Sequence, residues 1–72
     1  MTERGGDGML ININRADAEE LQALEGIGAK RAAAIVEYRE RKGWFSIPGD
    51  IKKVHGIGEK TFQKIRHRIV TY

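Results

Sequence analysis

The apolar positions of this chain fall into two blocks with the same spacing. Leu21, Leu24, Ile27, Ala32 and Ile35 form the first, and Ile51, Val54, Ile57, Phe62 and Ile65 repeat it thirty residues later. Gly26, Gly28 and Lys30 return in step as Gly56, Gly58 and Lys60. A Gly-Ile-Gly triplet intact in both copies marks an internal duplication. Two copies make a pair, not a solenoid, which needs three or more.

Each block reads as helix, tight turn, helix. In the first, Asp17 with Glu20 three positions on has the form of a capping box. Leu21 and Leu24 then share one face of a short helix. Gly26 is placed to end it, since a helix C-cap often needs a left-handed backbone. Ile27 is expected to plug inward, and Gly28 to open a second helix through about residue 42. That stretch is rich in helix formers, turns Ala32, Ile35 and Val36 to one side, and meets Gly43 at its end. In the second block Pro48 suits the first turn of a helix, and Asp50 suits its positive end. After Gly56-Ile57-Gly58 a last helix is expected over about 59–70, with Phe62, Ile65 and Ile69 on one face and Lys64, Arg66 and Arg68 outside. Ahead of both blocks, residues 1–9 are expected to be a disordered tail. Residues 10–14 read as a short extended lead that packs Ile11 or Ile13 on the bundle, and no sheet is expected.

Composition narrows the picture. Seventy-two residues leave room for one small domain. There is no cysteine, so no disulfide and no Cys-based zinc site, and His55 with His67 cannot complete a four-ligand metal site. No apolar run approaches the roughly 20 residues of a membrane span, so no membrane contact is expected of this segment. No charged-then-apolar leader is present, so the chain is expected to be intracellular or cut from a longer protein. The net charge of +3 is unevenly spread. Residues 1–42 hold seven basic and eight acidic side chains, net −1, whereas residues 43–72 hold six and two, net +4.

The turns carry the candidate chemistry. A helix start exposes unpaired N–H groups and about half a positive charge. Glycines let a phosphate approach that backbone, and a lysine two residues on adds a mobile charge. A glycine pair between helices also serves simply as a tight hairpin. Recurrence of the whole pattern, with leucine-like residues before and lysine after, favours phosphate binding without base readout.

Leu24-Glu25-Gly26-Ile27-Gly28-Ala29-Lys30-Arg31-Ala32 and Val54-His55-Gly56-Ile57-Gly58-Glu59-Lys60 resemble two helix-hairpin-helix motifs. The lead Asn14-x-Ala16-x-x-x-Glu20-Leu21, and the join from Tyr38 through Gly43 and Phe45 to Asp50-Ile51, are similar to the ComEA-type competence domain. The resemblance covers roughly residues 10–70. It implies an all-α fold, a compact bundle of four to five short helices forming a tandem helix-hairpin-helix (HhH)2 domain over residues 10–72, with repeats at about 15–43 and 46–70. It further implies sequence-independent binding of double-stranded DNA, both hairpins contacting backbone phosphates across the minor groove, in DNA uptake during natural transformation at the cell envelope. The implied contacts are Gly26, Ile27, Gly28 and Lys30 with Arg31, and Gly56, Ile57, Gly58 and Lys60 with Lys64; His55, when protonated, is an additional candidate. Neither a small-molecule substrate nor a required cofactor is implied, and the oligomeric state is left open. Hairpin carbonyls of this type elsewhere hold a monovalent cation, an option kept open here.

The chain departs from the family pattern at two turns. Glu25 precedes the first Gly-Ile-Gly where proline or a neutral or basic residue is usual, so the first hairpin is expected to bind more weakly than the second. Ile47 stands where the family often has a serine-like cap, leaving Pro48 and Asp50 to start the third helix. Trp44 and Phe45 are expected to seal the core beneath the link rather than stack on bases. Tyr38 is expected to be core or half-exposed, and His67 solvated. Glu19, Glu20, Glu37 and Glu40 fit solvated faces and i,i+4 pairs better than a metal site. Arg39, Arg41 and Lys42 either meet a DNA backbone or cap a helix. The rival readings are a protein-interaction module and an accessory domain of a repair or replication protein. No nucleophile–base pair or metal triad suggests an enzyme.

Overall fold

The first helix starts where the capping box puts it. In the computed structural model, which describes residues 10–72, Glu20 N–H donates to Asp17 Oδ1 at 2.8 Å and Asp17 N–H to Glu20 Oε1 at 3.0 Å. These bonds satisfy two of the N–H groups that a helix start leaves over. Helix α1 is Ala18–Leu21. It runs on as tight i→i+3 turns, with Gln22, Ala23 and Leu24 N–H donating to the carbonyls of Glu19, Glu20 and Leu21. The long helix α2 is Ala29–Lys42, opened by Gly28 and ended by Gly43, as its composition predicts. The third helical segment, Pro48–Lys53, is a 3₁₀ helix, and α3 is Glu59–Ile65. The tail expected over residues 1–9 lies outside the described residues.

The fold is all-α, with two corrections. The last helix does not continue to residue 70. It tightens to a 3₁₀ turn over Arg66–Arg68 and then becomes extended. The β-branched run Ile69-Val70-Thr71 suits extended backbone better than helix. Strand β2, Ile69–Val70, pairs in parallel with β1, Ile11–Asn12, in the register Ile11↔Ile69 and Asn12↔Val70. This short ladder joins the two ends of the described chain. The spacing of Phe62, Ile65 and Ile69 by three and four fits a helix through Ile69 equally well, so periodicity alone could not reveal the break.

One core serves both repeats. Leu21, Leu24, Ile27, Ala32 and Ile35 meet Ile51, Val54, Ile57, Ile65 and Ile69, with Ile11, Ile13, Ala16 and Phe45 closing it. Both Ile11 and Ile13 pack inward. Phe45 lies buried and stacks on half-buried Tyr38, ring centroids 5.3 Å apart. Trp44 does not seal the core: it is 60% exposed, and Arg15 Cζ lies 4.9 Å from its ring centroid. The link has room for one ring beneath it, and Phe45 takes that place.

The lead motif proves to be structural. Asn14 is buried; its Nδ2 donates to the Phe45 carbonyl at 3.0 Å, and its Oδ1 accepts from Phe45 N–H at 2.7 Å. The side-chain amide thus pairs with Phe45 as a strand backbone would, leaving neither buried group unsatisfied. Arg39 Nη1 donates to the Ile13 carbonyl at 2.9 Å, fastening the lead to α2. Asp50 supplies the cap that Ile47 cannot: its Oδ2 accepts from Ser46 N–H at 3.0 Å and from Ile47 N–H at 3.4 Å. Those backbone donors, the Ser46 N–H foremost, hold the Asp50 carboxyl below its usual pKa.

Candidate nucleic-acid interface

The two Gly-Ile-Gly turns are built alike, bond for bond. Leu24 N–H donates to the Leu21 carbonyl at 3.1 Å, and Val54 N–H to the Ile51 carbonyl at 3.0 Å. Ile27 N–H donates to the Leu24 carbonyl, and Ile57 N–H to the Val54 carbonyl, each at 3.0 Å. The following helices begin with Ala32 N–H on the Gly28 carbonyl at 2.9 Å and Phe62 N–H on the Gly58 carbonyl at 3.0 Å. Gly26 and Gly56 have φ of +84° and +93°, backbone that an L side chain rarely adopts. Ile27 and Ile57 are each 3% exposed, anchoring the turns in the core.

The two glycines of each triplet therefore do different things. The first makes the turn. The second, Gly28 or Gly58, has extended backbone, with φ of −92° or −107°, that does not require glycine. A Cβ on either would meet nothing within 4 Å. What glycine provides there is an uncovered helix start, with no side chain over its N–H groups.

The charges around the turns are arranged unevenly. Lys30, Lys60 and Lys64 are exposed and make no ion pair among the described residues. Lys52 and Lys53, which lead into the second turn, are engaged: Lys52 Nζ lies 2.7 Å from Glu59 Oε1, and Lys53 Nζ 3.6 Å from Asp50 Oδ1. The Lys52 ammonium, with the Gln63 amide, holds the Glu59 carboxyl below its usual pKa. Glu25 is exposed beside the first turn, at the position that His55 occupies beside the second.

A cleft of about 500 Å³ lies between the repeats, lined by Gly28, Ala29, Lys30, Arg31, Ala34, His55 and Gly56. It brings the start of α2 against the second turn and sets His55 beside Lys30 and Arg31. A shallower groove continues along α2 past Ala34, Glu37, Tyr38, Arg41 and Lys42, with His55 again on its wall. Lys60 and Lys64 lie outside this cleft, although Lys64 is the thirty-residue counterpart of Ala34 within it. Arg31 stands at the cleft with two N–H groups committed: Nε donates to the Gly56 carbonyl at 2.8 Å and Nη1 to the Gly26 carbonyl at 3.1 Å. Those two carbonyls thus already face a positive guanidinium, so they do not suit a bound monovalent cation. Of the cluster at the end of α2, Arg39 holds the lead and Arg41 pairs with Glu37 at 3.6 Å across one helical turn. Among the described residues no three or more His, Cys, Asp or Glu side chains come together, and no helix is long and apolar enough to cross a membrane.

The bridging role of Arg31 was not legible in the sequence. Its one signal is a break in the repeat, where Arg31 corresponds to Thr61.

Residues 7–70 match the helix-hairpin-helix motif family. The chain is 54% identical over 65 residues to ComE operon protein 1 of Bacillus subtilis, an alignment covering 90% of this chain and 32% of that protein. It is 51% identical over 61 residues to an uncharacterized protein of Haemophilus influenzae, covering 83% of this chain and 54% of that one. A human endonuclease/exonuclease/phosphatase family domain-containing protein 1 is 39% identical over 59 residues, covering 82% of this chain and 10% of its own length. The chain thus corresponds to a limited part of each relative.

Proposed function

The chain belongs to the helix-hairpin-helix family, and from that we propose that it binds double-stranded DNA without sequence preference, each Gly-Ile-Gly turn holding a backbone phosphate. The observation that carries this reading is the matched pair of turns, each with an uncovered second glycine and an exposed lysine two residues on. Backbone N–H groups at Gly28 and Gly58 donate to the phosphate oxygens, and Lys30 and Lys60 neutralise the charge. Gly26, Ile27, Gly56 and Ile57 shape the two cradles. Lys64 adds charge and His55 a ring N–H at the margins, while Glu25 weakens the first turn. None of these groups reads a base edge, so sequence preference is not expected. Arg31 brings its own positive charge to the turn carbonyls, so the reading requires no bound cation.

The process we assign is DNA uptake in natural transformation. The ComEA-type lead and join, and the similarity to ComE operon protein 1, support it. The domain acts as a binding module with no catalytic step of its own.

The test is fluorescence anisotropy with two unrelated duplexes over a salt series. Dissociation constants in the range of about 10⁻⁴–10⁻⁶ M near physiological salt are expected, falling steeply in strength as salt rises. Changing Lys30→Glu together with Lys60→Glu should weaken binding to both duplexes and lower the salt slope by about two. Unchanged binding by that variant refutes the phosphate reading. Discrimination between the duplexes by more than about tenfold refutes the lack of sequence preference.

A further inference from the structure

Arg31 and Thr61 occupy equivalent positions, each one residue beyond the lysine of its turn. Each lies against the opposite hairpin. A Cβ on Gly56 would meet Arg31 Nε at 3.7 Å, and a Cβ on Gly26 would meet Thr61 Cγ2 at 3.9 Å. The two repeats therefore cross-pack through equivalent positions filled by unlike side chains. At Thr61 the contact is a methyl group. At Arg31 it is a bidentate hydrogen bond, to the Gly56 carbonyl at 2.8 Å and the Gly26 carbonyl at 3.1 Å. Both acceptors are the first glycine of a turn. A guanidinium holds its N–H groups in a rigid planar fork, whereas a lysine ammonium is a single mobile point. One side chain thus ties the two turns together at corresponding atoms.

We propose that Arg31 is a positioning residue, a brace that fixes the spacing of the two hairpins so that both engage one duplex together. The proposal rests on the duplex-binding reading above. Two weak sites add their strengths only when their separation matches that of their targets. The phosphates of a duplex are fixed in space, so hairpins that drift relative to one another lose the joint contact. Arg31 acts through Gly26 and Gly56.

The test compares Arg31→Lys, which keeps the charge and loses the fork, with Arg31→Met, which keeps the apolar stem and loses both. Each is made in the parent and in a Lys60→Glu background, with melting curves to show that the fold is kept. A brace predicts that Arg31→Lys and Arg31→Met both weaken duplex binding by about tenfold in the parent, and by less than about twofold where the second hairpin is already disabled. Arg31→Lys binding like the parent overturns the proposal. Equal losses in both backgrounds also overturn it, since they mark a direct phosphate contact. In the free protein, the amide resonances of Ile27 and Ile57, which share peptide units with the two acceptor carbonyls, should both shift in Arg31→Lys. If they do not, no brace exists, whatever the DNA result. If they shift while the Lys30→Glu, Lys60→Glu variant still binds duplex normally, the duplex reading has failed and the proposed role of the brace fails with it.

Discussion

Adding one methyl group to the second glycine of each turn should separate binding from folding. Gly28 and Gly58 have φ of −92° and −107° with ψ of −168° and −166°, which alanine adopts readily. Nothing stands within 4 Å of the added Cβ at either site. Two small effects oppose each other. Alanine is the poorer N-cap, at a cost of about 0.5–1 kcal/mol, and it restricts the unfolded chain, a gain of about 0.4–1 kcal/mol. The net change per site should stay within about 0.5 kcal/mol, a melting shift of about 2–4 °C in a domain this small. Alanine at Gly26 or Gly56 instead enters left-handed backbone at φ of +84° or +93°, at about 1–2 kcal/mol each. The effect on binding runs the other way. A methyl over the uncovered N–H groups holds a phosphate off, and a lost hydrogen bond to a charged group costs about 1.5–3 kcal/mol, tenfold or more in affinity. Gly28→Ala combined with Gly58→Ala should therefore melt close to the parent by circular dichroism and bind duplex at least about tenfold more weakly by anisotropy. A folded double variant with parental affinity would refute the argument that these N–H groups hold phosphate.

Three other perturbations test separate parts of the account. Glu25→Gln removes a carboxylate beside the first turn and should raise duplex affinity about two- to fivefold, most at low salt, by the same anisotropy titration. Asn14→Leu leaves the Phe45 N–H and carbonyl without their partner and should cost about 2–3 kcal/mol, lowering the melting temperature by more than about 10 °C. The Asp50 carboxyl is held below its usual 3.8 by the Ser46 and Ile47 N–H groups, so its contribution to stability is complete above that value and is lost as pH falls through the lowered one. Denaturant midpoints measured between about pH 5 and pH 2 should thus fall less steeply for Asp50→Asn than for the parent.

The repeat was readable because it is carried by residues with one plausible use. Gly26 and Gly56 had to be turns, Ile27 and Ile57 had to be buried, and Asp17 with Glu20 had to start a helix. All three follow from local backbone physics. What escaped was long-range. The pairing of Ile11 with Ile69 joins residues from opposite ends of the chain through segments of two residues each, too short to show alternation. Trp44 and Phe45 are adjacent and both aromatic, and only the shape of the core decides that Phe45 enters and Trp44 stays out. Arg31 reads as one more cation near a turn until the second repeat is folded against the first. The Asn14 amide likewise has no visible purpose until Phe45 arrives opposite it. The shape of each turn was local and legible, whereas the relation between the turns was not.

The central claim is that both turns meet the same duplex through its backbone. Titrating ¹⁵N-labelled protein with two unrelated duplexes, and following the backbone amides, tests it most directly. The largest shifts are expected at residues 26–31 and 56–61 together, with the same pattern for both duplexes, fading as salt is raised. Shifts confined to one turn, centred on the Arg15 and Trp44 side of the molecule, or differing between the two duplexes would contradict it.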